Sequence, residues 1–317
     1  MDTVHVIANP NAAGGKGARA IPELERRLRR EGIPAVLHST EAQGHASELA
    51  RSVREAGVER ILVVGGDGTI HEVVNGLLAL EGPGAEEDLP LLAILPVGTG
   101  NDFHRMVRAP SSMDATVELL RSGVPRSFDV GEVRWKGGRA HFVNLFGAGI
   151  DVAVLQRRPA FGRLPGLLQY LAALVSALAG FRPIPLRVEW EGREGSTGTF
   201  EAPALLTAVT VGPSIGGGFM ISPNARCDDG LLDLFFVESL GVGKVLRYLP
   251  GILRGSLTGK PEVRQAQVSA LIVSASDGRP FSFELDGEVM AQETERLRVR
   301  VLHGRLRVLE MPEGGRA

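Results

Sequence analysis

The chain has 317 residues, 44% hydrophobic and 23% charged, with a formal net charge of −2 and one cysteine. That composition excludes a disordered or collagen-like chain, and a lone thiol, Cys227, excludes an internal disulfide framework. The balanced charge argues against nucleic-acid binding, and the length suggests about two domains of roughly 150 residues each. The basic residues are nearly all arginine; the lysines are Lys16, Lys136, Lys244 and Lys260. The start, MDTVHVIANP, reads as a strand running into a turn and not as a secretory leader.

Val4–Ala8 is a short β-branched strand that ends in Asn9-Pro10-Asn11-Ala12-Ala13-Gly14-Gly15-Lys16-Gly17. A helix follows over Ile21–Arg30, then a strand Ala35–Ser39, a helix Ala46–Ala56 and a strand Arg60–Val64 that stops at Gly65-Gly66-Asp67-Gly68-Thr69. A helix over Ile70–Leu80 leads to the strand Leu91–Leu95 and the turn Pro96-Val97-Gly98-Thr99-Gly100-Asn101-Asp102-Phe103. Strands alternating with helices predict a parallel sheet covered on both faces, with ligands beyond the carboxyl ends of its strands. All three glycine-rich turns lie at such ends. From about residue 128 the pattern becomes many short strands of period two, which predicts a mainly antiparallel sandwich interrupted by helices over Leu167–Leu178 and Gly243–Leu257. The fold class is therefore an α/β domain over 1–128 followed by a β-sandwich over 129–303.

Glycines in these turns let backbone N–H groups approach a polyphosphate, and the helices that follow add positive dipole ends. The first turn lacks the Gly-Lys-Ser/Thr of a Walker loop, and a simple tight turn explains it equally well. In the second, Asp67 sits between Gly66 and Gly68, poorly placed for core packing; it can bind Mg²⁺ through water or orient an attacking hydroxyl. Its structural alternative, shared with Thr69, is helix capping. Glu72 can assist one turn later, or serve as an ordinary first-turn acid. In the third turn, Thr99 and Asn101 can donate to phosphate or ribose oxygens. Further on, Arg226-Cys227-Asp228-Asp229-Gly230-Leu231 enters a strand and can hold a hard cation, though an acidic turn is the simpler reading. Likewise Asp286-Gly287-Glu288 is either a hairpin turn or a source of a general base. These residues alone leave open whether Asp67 or Glu288 takes a proton. The histidines are scattered, with no Cys/His metal cluster.

Taken in order, NPNAAGGKG, STEAQGHA (39–46), GGDGTIHEVVNGL, PVGTGNDFHR, FVNLFGAGID, GGGFMISPNARCDDGLLD and LDGE resemble the diacylglycerol kinase catalytic family, which includes bacterial soluble lipid kinases and the sphingosine and ceramide kinases. The resemblance runs from Asn9 to Glu288. GGDGT is shared with NAD kinases, whereas GTGNDF, DDGLLD and LDGE are specific to the lipid kinases. It implies a nucleotide-binding domain, a β-sandwich lipid-binding domain, a site in the cleft between them, and a last segment, 304–317, returning to the first domain. It further implies ATP on Asn9, Pro10, Asn11, Thr40, the Gly66–Glu72 stretch with Gly68 and Thr69, Thr99 and Asn101. Mg²⁺ would lie at the Arg226 carbonyl, Asp229 and the Leu231 carbonyl, with Glu288 as proton acceptor and Asp286 beside it; Asp67 is the further catalytic candidate. Diacylglycerol is the expected acceptor, with a sphingoid base or phosphatidylglycerol as the alternative lipid, and lysine is sparser than in many bacterial members, with Lys16 alone near the cradle. The expected protein is cytoplasmic and peripherally attached to membranes, with a homodimer left open.

Two other classes stay in view: an NAD kinase-like enzyme, opposed by the lipid-kinase motifs, and a non-catalytic lipid- or nucleotide-binding regulator, opposed by intact Asp67, Asp229 and Glu288. The stretch Leu164–Phe181 is too short and too interrupted, by Gln169 and Ser176, to read as a span. Leu167, Leu168, Leu171, Leu174, Val175, Leu178 and Phe181 form one helical stripe near Arg157, Arg158, Arg163 and Arg182. It suits either docking on an anionic membrane or packing on the sandwich.

Overall fold

The structure is a computed structural model that describes residues 2–80, 88–98, 100–164, 166–253, 259–290 and 293–312. The chain divides into two compact units, residues 1–128 with 304–317, and residues 129–303. In the first unit β1 (Val4–Ala8), α1 (Ala12–Arg30), β2 (Ala35–Ser39), α2 (His45–Glu55), β3 (Arg60–Gly65), α3 (Asp67–Leu77), β4 (Leu91–Pro96), α4 (Asp102–Met106) and α5 (Met113–Ser122) follow one another. The strands are parallel in the order β2-β1-β3-β4. One face buries Val4, Val6, Leu62, Val64, Ala93 and Leu95 under Leu24 and Leu28 of α1 and Leu119 and Leu120 of α5. Hydrophobic burial on both faces explains the unbroken apolar runs of β3 and β4.

In the second unit come β5 (Val124–Trp135), β6 (Gly138–Phe142), β7 (Leu145–Gly149), α6 (Ile150–Arg157), α7 (Gly166–Leu178), β8 (Ile184–Gly192), β9 (Thr197–Thr210), β10 (Ser214–Ile215), β11 (Phe219–Met220), β12 (Leu232–Glu238), α8 (Val242–Leu253), β13 (Val263–Ala275), β14 (Phe283–Leu285), β15 (Glu288–Val289) and β16 (Arg296–Glu310). Strands β5 and β16 each have residues in both units. The long strands β9 and β13 turn the corner of the sandwich. One part of β9 pairs with β8 and the other with β12 and β7; β13 pairs with β12 at one end and with β8 and β16 at the other, all antiparallel.

Several boundaries differ from the sequence reading. The helix expected from Ile21 begins at Ala12, with left-handed Ala13, Gly14 and Gly15 inside its first turn. The helix expected over Ile70–Leu80 runs from Asp67 to Leu77, because the polar Asp67-Gly68-Thr69 already forms its first turn. HFVNLFGAG is split between β6 and β7, and LRVRVL joins GRLRVLEM in β16 through Gly304, whose φ of 58° absorbs the bend. The helix expected to reach Leu257 is described to Leu253, and 254–258 lie outside the described residues.

One buried feature lies outside the sites expected from the sequence. A side chain on Gly147 would collide with Asp151 Oδ2 at 1.7 Å and Glu284 Oε1 at 2.7 Å, so two carboxyl groups close on this glycine. Both acids are buried, 5% and 1% exposed. Burial pushes Asp151 up to about 7, and burial together with the charge of Asp151 raises Glu284 well above the usual carboxylate range. The folded state therefore holds protons that the unfolded chain releases above its ordinary carboxylate pKa. The sign follows from linkage: this stability is complete below about pH 4 and is lost as pH rises toward 7, at up to about 1.4 kcal/mol per pH unit for each proton retained. Asp151→Asn is expected to flatten the fall in denaturant-measured stability between about pH 4 and 7. Equal slopes for variant and wild type would contradict the assignment.

Candidate functional site

The first β–α turn leads from β1 outward to β2, and the chain then returns across β1 to β3. This makes the carboxyl end of β1/β3 a topological switch point, where open α/β sheets bind ligands. Asn9 and Gly66 occupy it. Asn9 Nδ2 donates to Thr69 Oγ1 at 3.2 Å, joining the first glycine turn to the second, and Asn9 Oδ1 accepts from Asn11 N at 2.9 Å. Close approach explains the glycines: a Cβ on Gly17 would lie 2.0 Å from Asn9 O, and one on Gly66 would lie 3.0 Å from Gly98 Cα. Thr40 N donates to Ala8 O at 2.8 Å, so the β2 end sits beside the same edge. Asn9, Pro10, Asn11, Thr40, Gly66, Asp67, Gly68, Thr69, Glu72 and Asn101 are therefore gathered at four adjacent strand ends. Thr99 lies outside the described residues.

Two carboxylates in this group have specific commitments. Asp67 accepts from Asp102 N at 3.2 Å and Phe103 N at 3.1 Å, so it caps α4 on the neighbouring turn. Charge-assisted bonds of this kind contribute about 1.5–3 kcal/mol each, enough to fix the turn. The capping role foreseen for Asp67 thus exists, on the adjacent helix rather than its own; Thr69 instead accepts from Asn9. Glu72 accepts from Gly44 N at 2.9 Å and Ala46 N at 3.2 Å, tying the N-terminus of α2 to α3. Asp102 is buried and pairs with Arg105.

In the second unit, Asp286 and Gly287 form a tight turn between β14 and β15 with φ of 51° and 90°. Asp286 accepts from the backbone N of Val143, Asn144 and Leu145 at 2.9–3.0 Å, which pins the hairpin to β7. Glu288 is exposed at the start of β15. Asp229 Oδ1 accepts from Leu231 N at 3.2 Å, and Oδ2 lies 3.7 Å from Arg193. The loop 226–231 is held from below by buried Asp129, which accepts from Gly230 N at 2.8 Å and gives its own N–H to Cys227 O at 2.7 Å. Burial, with the charge of Asp229 adding to it, pushes Asp233 up to about 6. Asp229 and Asp233 repel one another, and carboxylate oxygens of this kind suit a hard divalent cation. Among the described residues no group of three His, Cys, Asp or Glu side chains converges, so carbonyls and water would complete the shell.

A cavity of about 100 Å³ opens in the same unit, lined by hydrocarbon from Leu145, Leu174, Leu205, Phe219, Phe235 and Tyr170, among others. Asp151 is the carboxyl group on its wall, and Asp151 Oδ2 is buried without a hydrogen-bond partner. The sequence reading missed Asp151, Glu284 and Asp129. A signal existed for the first two, since each acid interrupts an apolar run, GAGIDVAV and FSFEL. The stripe expected on α7 is divided: Leu174 and Leu178 are buried, whereas Leu168 and Val175 are 55% and 51% exposed. The side chain of Leu167 lies outside the described residues.

Comparison with known proteins agrees with this arrangement. A family model described as the diacylglycerol kinase catalytic domain matches residues 3–133, and one described as the YegS C-terminal NAD kinase beta sandwich-like domain matches residues 144–310. A diacylglycerol kinase of Bacillus subtilis (strain 168) is 26% identical over 290 residues, covering 91% of this chain and 90% of that protein. A protein of Chromohalobacter salexigens named "Probable lipid kinase YegS-like" is 30% identical over 304 residues, covering 95% and 92%. A solved structure described as a "putative diacylglycerol kinase" from Bacillus anthracis str. Sterne superposes with a TM-score of 0.76 at 25% identity, covering 98% of each chain. With both units matched in order and along nearly its whole length, the chain belongs to the diacylglycerol kinase and YegS-like family, and it is a lipid kinase.

Proposed function

We propose that this lipid kinase transfers the γ-phosphoryl group of ATP to the hydroxyl of diacylglycerol, giving phosphatidic acid. The observation that carries the choice of acceptor is the hydrocarbon-lined cavity of the second unit, which suits an acyl chain and offers a soluble dinucleotide almost no polar partner. The strand-end turns of the first unit supply backbone N–H groups, Asn9 and Asn101 for the triphosphate, and Thr40 beside them. The Glu288 carboxylate accepts the hydroxyl proton as the acceptor oxygen bonds to the γ-phosphorus, and the bond to the β,γ-bridging oxygen breaks with ADP leaving. Asp286 holds the Glu288 hairpin through its three backbone bonds. Asp67 fixes the two glycine turns against each other, so positioning is its first contribution. Mg²⁺, when bound at Asp229 with the Arg226 and Leu231 carbonyls, supplies charge that orders this loop.

Among the described residues no helix is long and apolar enough to cross a membrane. We infer a cytoplasmic enzyme that docks on the bilayer through the exposed Leu164, Leu168 and Val175 near Arg163 and Arg182. Packing and docking are both served by α7, on opposite faces.

A panel of diacylglycerol, sphingosine, ceramide, phosphatidylglycerol and NAD, each incubated with labelled ATP, tests the reading. Labelled phosphatidic acid is the expected product, and Glu288→Gln is expected to lower its turnover by about 10²–10⁴-fold with an unchanged melting temperature. Label on NAD with none on any lipid would overturn the reading, and near wild-type turnover in the variant would remove Glu288 from its role. For the metal, melting temperature without nucleotide is expected to rise with Mg²⁺ in the wild type and to respond less in Asp229→Ala, because a ligand of the folded state alone stabilises by mass action. The same response in both proteins would exclude a Mg²⁺ site at Asp229.

A further inference from the structure

The cavity is walled on one side by α7 and on another by α8, through Val245, Tyr248 and Leu249. Unlike α7, α8 has few buried side chains of its own. Of residues 242–250 only Val245 is buried and Tyr248 and Leu249 are half-buried, while Val242 and Leu246 are 44% and 41% exposed. Over these residues apolar anchorage is therefore confined to one narrow row of the helix. The polar anchorage centres on one residue, Glu262 at the start of β13. It pairs with Lys244 Nζ and accepts from the Tyr248 hydroxyl at 3.2 Å. Lys244 and Lys260 also lie over the Tyr248 ring, 5.9 and 5.7 Å from its centre. Two of the chain's four lysines thus flank this helix, with Arg247 exposed between them, although arginine supplies nearly all basic charge elsewhere.

We propose that α8 is a cover over the cavity that an anionic bilayer opens. Its outer face carries exposed Val242 and Leu246 among Lys244, Arg247 and Lys260, a pattern complementary to acidic headgroups with acyl chains beneath them. Lys244 serves two competing partners, Glu262 when the cover is down and a lipid phosphate when the helix lies on the membrane. The Lys244 side chain is 44% exposed at the ion pair, so the latch is weak enough for a headgroup to displace. Displacement leaves Val245, Tyr248 and Leu249 as the remaining hold on the cavity. The acyl chain thereby gains entry only where its source is present, which keeps the hydrocarbon wall out of water between encounters. This inference rests on the reading of the cavity as an acyl-chain site.

The test uses the full chain, a soluble environment-sensitive fluorescent fatty acid as cavity probe, and vesicles of phosphatidylcholine with or without phosphatidylglycerol. Without vesicles, Glu262→Gln is expected to load the probe about fivefold faster than wild type, the rate gain of losing a partly exposed ion pair, with the final signal unchanged. Tyr248→Phe, which removes only the hydroxyl bond, is expected to give a smaller gain. Leu246→Glu is expected to load the probe as wild type does but to lose most of its co-sedimentation with phosphatidylglycerol vesicles, independently of the loss caused by Leu168→Glu on α7. Wild-type loading rates in both latch variants would overturn the cover, and unchanged sedimentation of Leu246→Glu would overturn its docking. If Leu246→Glu instead reduces the size of the protein in solution without vesicles, a second copy covers α8 and the bilayer assignment falls. A wild-type protein that never takes up the probe would overturn the acyl-chain reading itself, and the cover with it.

Discussion

The contact between Gly66 and Gly98 is the constraint on which the strand-end turns of the first unit depend. A Cβ on Gly98 would lie 2.7 Å from Gly66 Cα, and the reverse substitution would put 3.0 Å between Gly66 Cβ and Gly98 Cα. Only because both residues lack side chains do the turns after β3 and β4 lie backbone to backbone. That closeness lets the Asp67 carboxylate reach Asp102 N and Phe103 N across the gap. It also sets Thr69 where Asn9 can reach it. A larger residue at either glycine would separate three turns at once, since each is hydrogen-bonded to the next.

Backbone strain accompanies several of the turns singled out above. Among the described residues, the non-glycine positions with positive φ are Ala13, Asn101, Arg108, Glu194 and Asp286. Three of them, Ala13, Asn101 and Asp286, lie in the turns assigned to nucleotide or acceptor chemistry. Each such conformation costs about 1–3 kcal/mol and persists only where neighbouring bonds over-determine it. Asp286 illustrates the compensation, with three backbone N–H groups converging on its carboxylate. Backbone strain here goes with placing main-chain groups and carboxylates at strand ends, where a phosphoryl group can be held without covalent help.

The fold and the positions of its turns were legible because they rest on local signals: period-two and period-3.6 patterning, and glycines at strand ends. What those signals cannot convey is partnership. Asp67 reads as an isolated acid, yet its partners are amides 35 and 36 residues away, and Glu72 caps a helix 26 to 28 residues earlier in the chain. The buried pair Asp151 and Glu284 is brought together as β7 pairs with β14, a contact between segments more than 130 residues apart. Likewise the apolar row of α7 looks uniform in sequence, and only packing divides Leu174 and Leu178 from Leu168 and Val175. Pattern therefore located the strand-end turns but could not distinguish carboxylates that hold the scaffold from those left open.

The central claim is a division of labour, with nucleotide on the strand-end turns of one unit and the acyl chain in the cavity of the other. Amide hydrogen exchange measured separately with a non-hydrolysable ATP analogue and with a short-chain diacylglycerol tests it most directly. The account expects the analogue to protect 9–17, 66–72 and 97–103, and the lipid to protect 145–154, 170–178 and 205–221. Protection of the same segments by both ligands, or of the cavity segments by the nucleotide alone, would contradict it.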